Sequence, residues 1–134
     1  MDSKIAAYAR RSVQIVALAQ RDNAAELRKI VSPNAEFSIG SGDVGRPFAN
    51  GIEGAITAGK ELSGTPRYRF KVRSGPPPGP DDPCSAIKLE VEFYSRDESI
   101  VIPMTFSYDH GVLESATGWM LGESAGEVDA AVAR

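Results

Sequence analysis

In Arg67-Tyr68-Arg69-Phe70-Lys71-Val72-Arg73 every odd position is basic and every even position apolar. Successive side chains of a strand point to opposite faces, so this run reads as a strand with one apolar and one wetted side. The next run, Ala86 to Tyr94, sets Ile87, Leu89, Val91 and Phe93 against Lys88, Glu90 and Glu92. If the two are antiparallel neighbours, the bases of the first oppose the glutamates of the second, and such pairs stabilise by roughly 0.2–1 kcal/mol each. The charge pattern therefore predicts the pairing, with the shared apolar face turned to a core.

Two further strands follow. Ser99 to Tyr108 places Ile100, Ile102, Met104, Phe106 and Tyr108 on one face, with Pro103 marking a bulge or an unpaired edge position. Asp109-His110-Gly111 is a tight-hairpin signal. Val112 to Leu121 returns as the last strand, alternating Leu113, Ser115, Thr117, Trp119 and Leu121 with the residues between them.

The opening half reads as helix. From Ser3 to Gln20 the chain is alanine-rich, and Ile5, Tyr8, Ser12, Ile15 and Ala19 form a stripe that Ala9, Val13 and Val16 widen. Asn23 and Glu26 make a capping-box pattern for a second, shorter helix, which Ser32-Pro33 ends. Ala35 to Ile39 suits a short strand, and Gly40 to Pro47 an irregular loop. A third helix is expected from Gly51 to Leu62 with Asn50 placed to cap it. Gly54 and Gly59 weaken that helix intrinsically and suggest a close backbone approach.

At 134 residues and a formal charge of -3 the chain suits one domain with its own core. The mildly acidic balance argues against a nucleic-acid partner, which would favour a basic surplus. No apolar stretch is long enough to span a bilayer. Arg10-Arg11 and the apolar residues after them imitate an export signal, but Gln14 interrupts the run, so a cytoplasmic protein is expected. The domain is drawn at 1–121, with a tail over 122–134 that is a frayed helix or disordered.

Several residues invite chemistry. Cys84 is the single cysteine, and a half-buried thiol beside a loop explains it without reactivity. Gly75 to Pro83 holds a PxxP spacing but reads first as a stiff exposed connector. His110 falls in the hairpin turn. With one histidine and one cysteine, a catalytic zinc site has no ligand set. The glycines from Gly40 to Gly45 lack the Lys-Ser/Thr of a phosphate loop. No cofactor is implied.

The order of helix, helix, short strand, loop, third helix and antiparallel strands resembles the NTF2-like superfamily. Asn50-Gly51-Ile52-Glu53-Gly54-Ala55-Ile56 is similar to the start of its third helix. Ser32-Pro33-Asn34-Ala35-Glu36-Phe37 is similar to the approach to its first strand. Phe106-Ser107-Tyr108-Asp109-His110-Gly111-Val112-Leu113 is similar to its late hairpin. The resemblance spans Ile5 to Leu121. It implies an α+β cone, with N-terminal helices packed on a curved antiparallel sheet that encloses an apolar pocket.

That superfamily includes SnoaL-like cyclases, ketosteroid-isomerase-like enzymes and binding proteins, so fold does not settle function. The positions matching a ketosteroid isomerase's base are Ser38 or Ile39, and those matching its oxyanion donors fall near Ile15 and Met104. None carries the needed group, which disfavours simple steroid isomerisation. Asp43 in the glycine-rich loop and Tyr8 on the inner helical stripe are the candidate acid/base pair, each with a plainer account as a turn aspartate and a core tyrosine. Tyr68, Met104, Phe106 and Trp119 are candidate pocket walls for a small hydrophobic ligand, though plain core packing explains them equally well. The rival expectation is a homodimeric association module, joined through Val101, Thr105, Ser107, Ser115 and Thr117 on the outer sheet face.

Overall fold

The structure is a computed structural model that describes residues 2–42, 44–71 and 86–121. Asp43, Val72, Arg73, the proline-rich stretch, Cys84 and the tail over 122–134 lie outside the described residues. The elements are α1 (Asp2–Gln20), α2 (Ala24–Leu27), β1 (Val31–Ser41), α3 (Ile52–Glu61), β2 (Arg67–Lys71), β3 (Ala86–Tyr94), β4 (Val101–Asp109) and β5 (Val112–Met120). A 3-10 turn, Leu62–Gly64, follows α3.

Along α1 the buried residues are Ala9, Ser12, Ile15, Val16, Leu18 and Ala19, with Tyr8 and Val13 packed at their margin. The helix stops where Asp22 adopts a left-handed φ of 57°. There the Asp22 amide donates to Ala19 O at 3.0 Å and the Asn23 amide to Leu18 O at 3.0 Å, a Schellman ending that satisfies the last carbonyls. Asn23 then caps α2 through Glu26 N at 3.3 Å, as the capping box predicts. α3 begins after Gly51 at φ 77° with no side-chain cap, so Asn50 is not its N-cap. Its amide group reaches back to Asn34 O at 3.5 Å instead.

The five strands form one curved sheet in the order β1-β5-β4-β3-β2. Four of them make an antiparallel run, but β1 joins β5 in parallel, from Val31↔Leu113 to Ser41↔Met120. The sheet is therefore mixed. Alternation encodes faces rather than partners, which is why the direction of β1 was not readable. β1 is also longer than the expected Ala35 to Ile39, running from Val31 to Ser41, and its ladder with β5 is interrupted around Pro33, where the register shifts between Val31 and Glu36. The glycine-rich stretch after it is not wholly irregular. It folds back so that the Ile39 amide meets Arg46 O at 3.2 Å and the Phe48 amide meets Phe37 O at 2.8 Å, closing that sheet edge.

The predicted β2–β3 pairing holds. Arg69 lies opposite Glu92, and its Nε donates to Glu92 Oε1 at 3.0 Å. Pro103 stands in the central strand, not at an edge. It pairs with Glu92 on the β3 side, while the β4–β5 ladder lapses between Met104↔Gly118 and the bridge Val101↔Leu121. A residue without an N–H leaves that gap, and the bulge lies elsewhere, at Ser107/Tyr108. In the β3–β4 turn Asp97 accepts from Ser99 N at 3.1 Å, Ser99 Oγ at 2.8 Å and Ser95 Oγ at 2.8 Å. Those donors hold its carboxyl down at about 2.

Among the described residues the helices cover one face of the sheet. α3 crosses α1 at Gly59, where an added Cβ would meet Ala19 Cβ and stand 3.1 Å from Val16 O. The close approach expected at Gly59 is thus real. Among the described residues no helix is long and apolar enough to cross a membrane.

Candidate functional site

The covered face carries Leu89, Val91 and Phe93 of β3, Ile102, Met104, Phe106 and Tyr108 of β4, Leu113 and Ala116 of β5, and Ala35, Phe37 and Ile39 of β1. Met104 and Phe106 are each 1% exposed. They pack in the core beneath the helices, and Met104 Sδ occupies the space over Gly118.

The same face changes character at β2. Tyr68 pairs with Phe93 and Phe70 with Val91, so both aromatic rings belong to the apolar side. Yet Tyr68 is 47% and Phe70 42% exposed. This corrects the expectation that the whole apolar face of that strand is buried: β2 is the outermost strand, and an edge position can lie beyond the reach of the covering helices. An aromatic ledge thereby continues the core into solvent.

Trp119 lies on the opposite face. It is level with Gly40, and its indole covers that glycine so closely that a Cβ there would come within 2.6 Å of Cε3. Its Nε1 donates to Gly42 O at 3.1 Å. Near it on the same side is a groove of about 260 Å³ lined by Glu36, Phe37, Ser38, Pro47, Phe48, Asn50 and Thr117.

A third cluster sits where α1 meets the β4–β5 hairpin. Tyr8 and Tyr108 rings stand 4.8 Å apart at 54°. The Tyr108 hydroxyl shares a 2.7 Å hydrogen bond with Ser12 Oγ, and Ser12 Oγ also donates to Tyr8 O at 2.8 Å. Burial pushes the Tyr108 phenol above its usual range, against the pull of the Ser12 hydrogen bond and the Arg11 charge. Arg11 lies over the Tyr8 ring at 5.3 Å and donates from Nη1 to Gly111 O at 2.9 Å. His110, at φ 54°, and Gly111, at φ 83°, form the two-residue turn that the Asp109-His110-Gly111 signal predicts.

The singled-out residues thus fall in four places. Tyr8 is at the hairpin end of the sheet. Met104 and Phe106 are inside, Tyr68 is on the β2 ledge, and Trp119 is outside. Asp43 lies outside the described residues, but its neighbours Gly42 and Val44 adjoin the end of β1 beside Met120. Along β4, the stretch from Tyr108 to Val101 is about 23 Å at roughly 3.3 Å per residue. The Tyr8 cluster and the flanks of Asp43 are therefore at opposite ends. Of the steroid-isomerase positions, Ile15, Ile39 and Met104 are apolar core and Ser38 lines the outer groove. Among the described residues no three His, Cys, Asp or Glu side chains gather as a metal site would require. Sequence reasoning missed Arg11, Ser12 and Phe70. Ser12 stood on the helical stripe and Phe70 in the alternating run, but neither pattern carries the tertiary partner that gives the residue its role.

No protein-family model and no curated protein matches the chain. Solved structures do. The chain is similar to a de novo designed NTF2 fold protein, at 14% identity over 96% of this chain and 93% of the other, with a TM-score of 0.54. It is also similar to an NTF2-like protein of unknown function from Silicibacter pomeroyi, at 15% identity over 90% of this chain and 99% of that one, with a TM-score of 0.53. At identities this low the likeness is one of fold.

Proposed function

We propose that this chain, which has the NTF2-like fold, binds a small hydrophobic ligand at the β2 end of its covered sheet face. The observation that carries the reading is the aromatic ledge: Tyr68 and Phe70 stay 47% and 42% exposed on a face whose other aromatic side chains are buried. Removing such rings from water on a flat apolar ligand yields roughly 25 cal/mol per Å² of apolar area. The reading is one of binding, without an assigned reaction.

The hydrophobic dye 1-anilinonaphthalene-8-sulfonate tests it. The native protein should enhance the dye's fluorescence saturably, and the double variant Tyr68→Ser, Phe70→Ser should bind at least about tenfold more weakly with an unchanged thermal midpoint. Equal binding by the variant would discard the ledge as the site.

A second reading, a homodimer through the outer face, is favoured by side-chain size. Val101, Thr105, Ser107 and Ser115 are short and half-buried there, and Thr117 is short and exposed. Lys88 flanks them on β3, and Glu36 lies at the far edge on β1. Glu90 and Glu92 share that side of β3 with Lys88, so the short side chains rather than charge favour the seam. Sedimentation velocity should give a dimer that Thr105→Arg converts to a monomer. A native protein that sediments as a monomer at micromolar concentration defeats the reading.

A further inference from the structure

The geometry points to an oxyanion site at the junction of α1 with the β4–β5 hairpin, built by the Arg11 guanidinium and the Tyr8 hydroxyl and taking a carboxylate. This site is independent of the β2 ledge.

Arg11 is half-buried and oriented by two separate contacts, the Tyr8 ring beneath it and the Gly111 carbonyl at 2.9 Å. A guanidinium has five N–H donors, and this one uses a single donor and forms no ion pair among the described residues. The Tyr8 hydroxyl likewise has no hydrogen-bond partner among them, although its ring is fixed against Tyr108 at 4.8 Å. The two polar heads converge. A methyl group added at Gly111 would stand 3.6 Å from Arg11 Nη1 and 3.8 Å from the Tyr8 hydroxyl, so both lie above one glycine.

Behind them the support is rigid, because Ser12 ties the Tyr108 hydroxyl and the Tyr8 carbonyl together. A pre-oriented cation and a free hydroxyl donor side by side supply charge-assisted hydrogen bonds without the usual loss of side-chain freedom. The local charges set the class of anion. Arg10 lies exposed beside Arg11 on the helix, and Glu114 lies exposed on β5. On the hairpin Asp109 holds His110 Nδ1 at 2.8 Å. Asp109 and Glu114, exposed on the same hairpin, add negative charge to this end of the molecule, which suits a singly charged anion better than a doubly charged one. The planar fork of the Arg11 guanidinium matches a carboxylate bidentately, which a lysine could not do.

The test is a proton–nitrogen NMR titration of the full chain with sodium benzoate against sodium chloride at matched ionic strength. Saturable shifts should appear at the Gly111 and Tyr8 amides with benzoate and not with chloride. Tyr8→Phe keeps the ring and should weaken benzoate binding several-fold. Arg11→Lys keeps the charge and should weaken it about tenfold. Thermal midpoints of both variants identify any loss of fold, and if Arg11→Lys fails to fold, Tyr8→Phe alone decides. Shifts that chloride reproduces, or undiminished affinity in a folded variant, would overturn the site. Tighter binding of inorganic phosphate than of benzoate would overturn the carboxylate assignment.

Discussion

Gly54→Ala is expected to destabilise the protein by about 3 kcal/mol, while Gly64→Ala should leave stability unchanged or raise it by up to about 1 kcal/mol. Helix propensity alone predicts the opposite for Gly54, since alanine in a helix interior gains about 1 kcal/mol over glycine. Packing decides the sign. A Cβ on Gly54 would run into the Ala49 carbonyl oxygen and stand 2.9 Å from Phe37 Cδ1. The first obstacle is backbone, which cannot swing aside as a flexible side chain would. Phe37 is itself only 3% exposed, and it lies in β1, so relief would have to separate α3 from the sheet. At Gly64, by contrast, an added Cβ meets nothing within 4 Å. Urea denaturation followed by circular dichroism measures both. Equal midpoints for the two variants would mean that Gly54 does not press on the Ala49 carbonyl and Phe37 as described.

What was legible in the sequence, and what was not, divides along a physical line. Alternation and charge gave the strands β2 to β5, the two sides of β2, β3 and β4 and the facing of β2 bases with β3 glutamates, because each is a property of neighbours along or across adjacent strands. The two glycines of α3 announced a close approach for the same reason: their cost has to be met by something local. On β5 the register shift opposite Ser107/Tyr108 breaks the alternation, so Leu113 faces the core while Ser115, Thr117 and Trp119 face away. The parallel seating of β1 on β5 and the return of Val44 to Phe48 along the other side of β1 depend on segments far apart in the chain, which no period reports. Burial suffered most. Tyr68 and Phe106 occupy equivalent places in equally regular alternating runs, so both read as lining the same interior. Only the sheet order puts one at the rim and the other at the centre. The Tyr8, Arg11, Ser12 and Tyr108 cluster is of this kind too, since helix periodicity brings Tyr8, Arg11 and Ser12 together but cannot say which strand end they meet.

That difference between rim and centre carries the other large effect. Phe106→Ala should cost about 3–5 kcal/mol, whereas Tyr68→Ala, at a rim position that is 47% exposed, should cost less than about 1 kcal/mol. Phe106 lies on β4, the middle strand of the five, opposite Leu89 on one side and Ala116 on the other. Its ring meets that of Phe93 at a centroid distance of 6.4 Å, and it is 1% exposed. The small Ala116 on one side cannot reach into the vacancy and the strands hold Leu89 and Phe93 in register, so truncation would open a cavity that the core fills poorly. Tyr68 has water on one side already, and its loss removes part of one contact with Phe93. Ligand binding should show the reverse order: Tyr68→Ala should weaken dye binding at the ledge, and Phe106→Ala, at temperatures where it remains folded, should leave it near native strength. If stability instead falls equally for both, the covering layer extends over β2 and the ledge is closed.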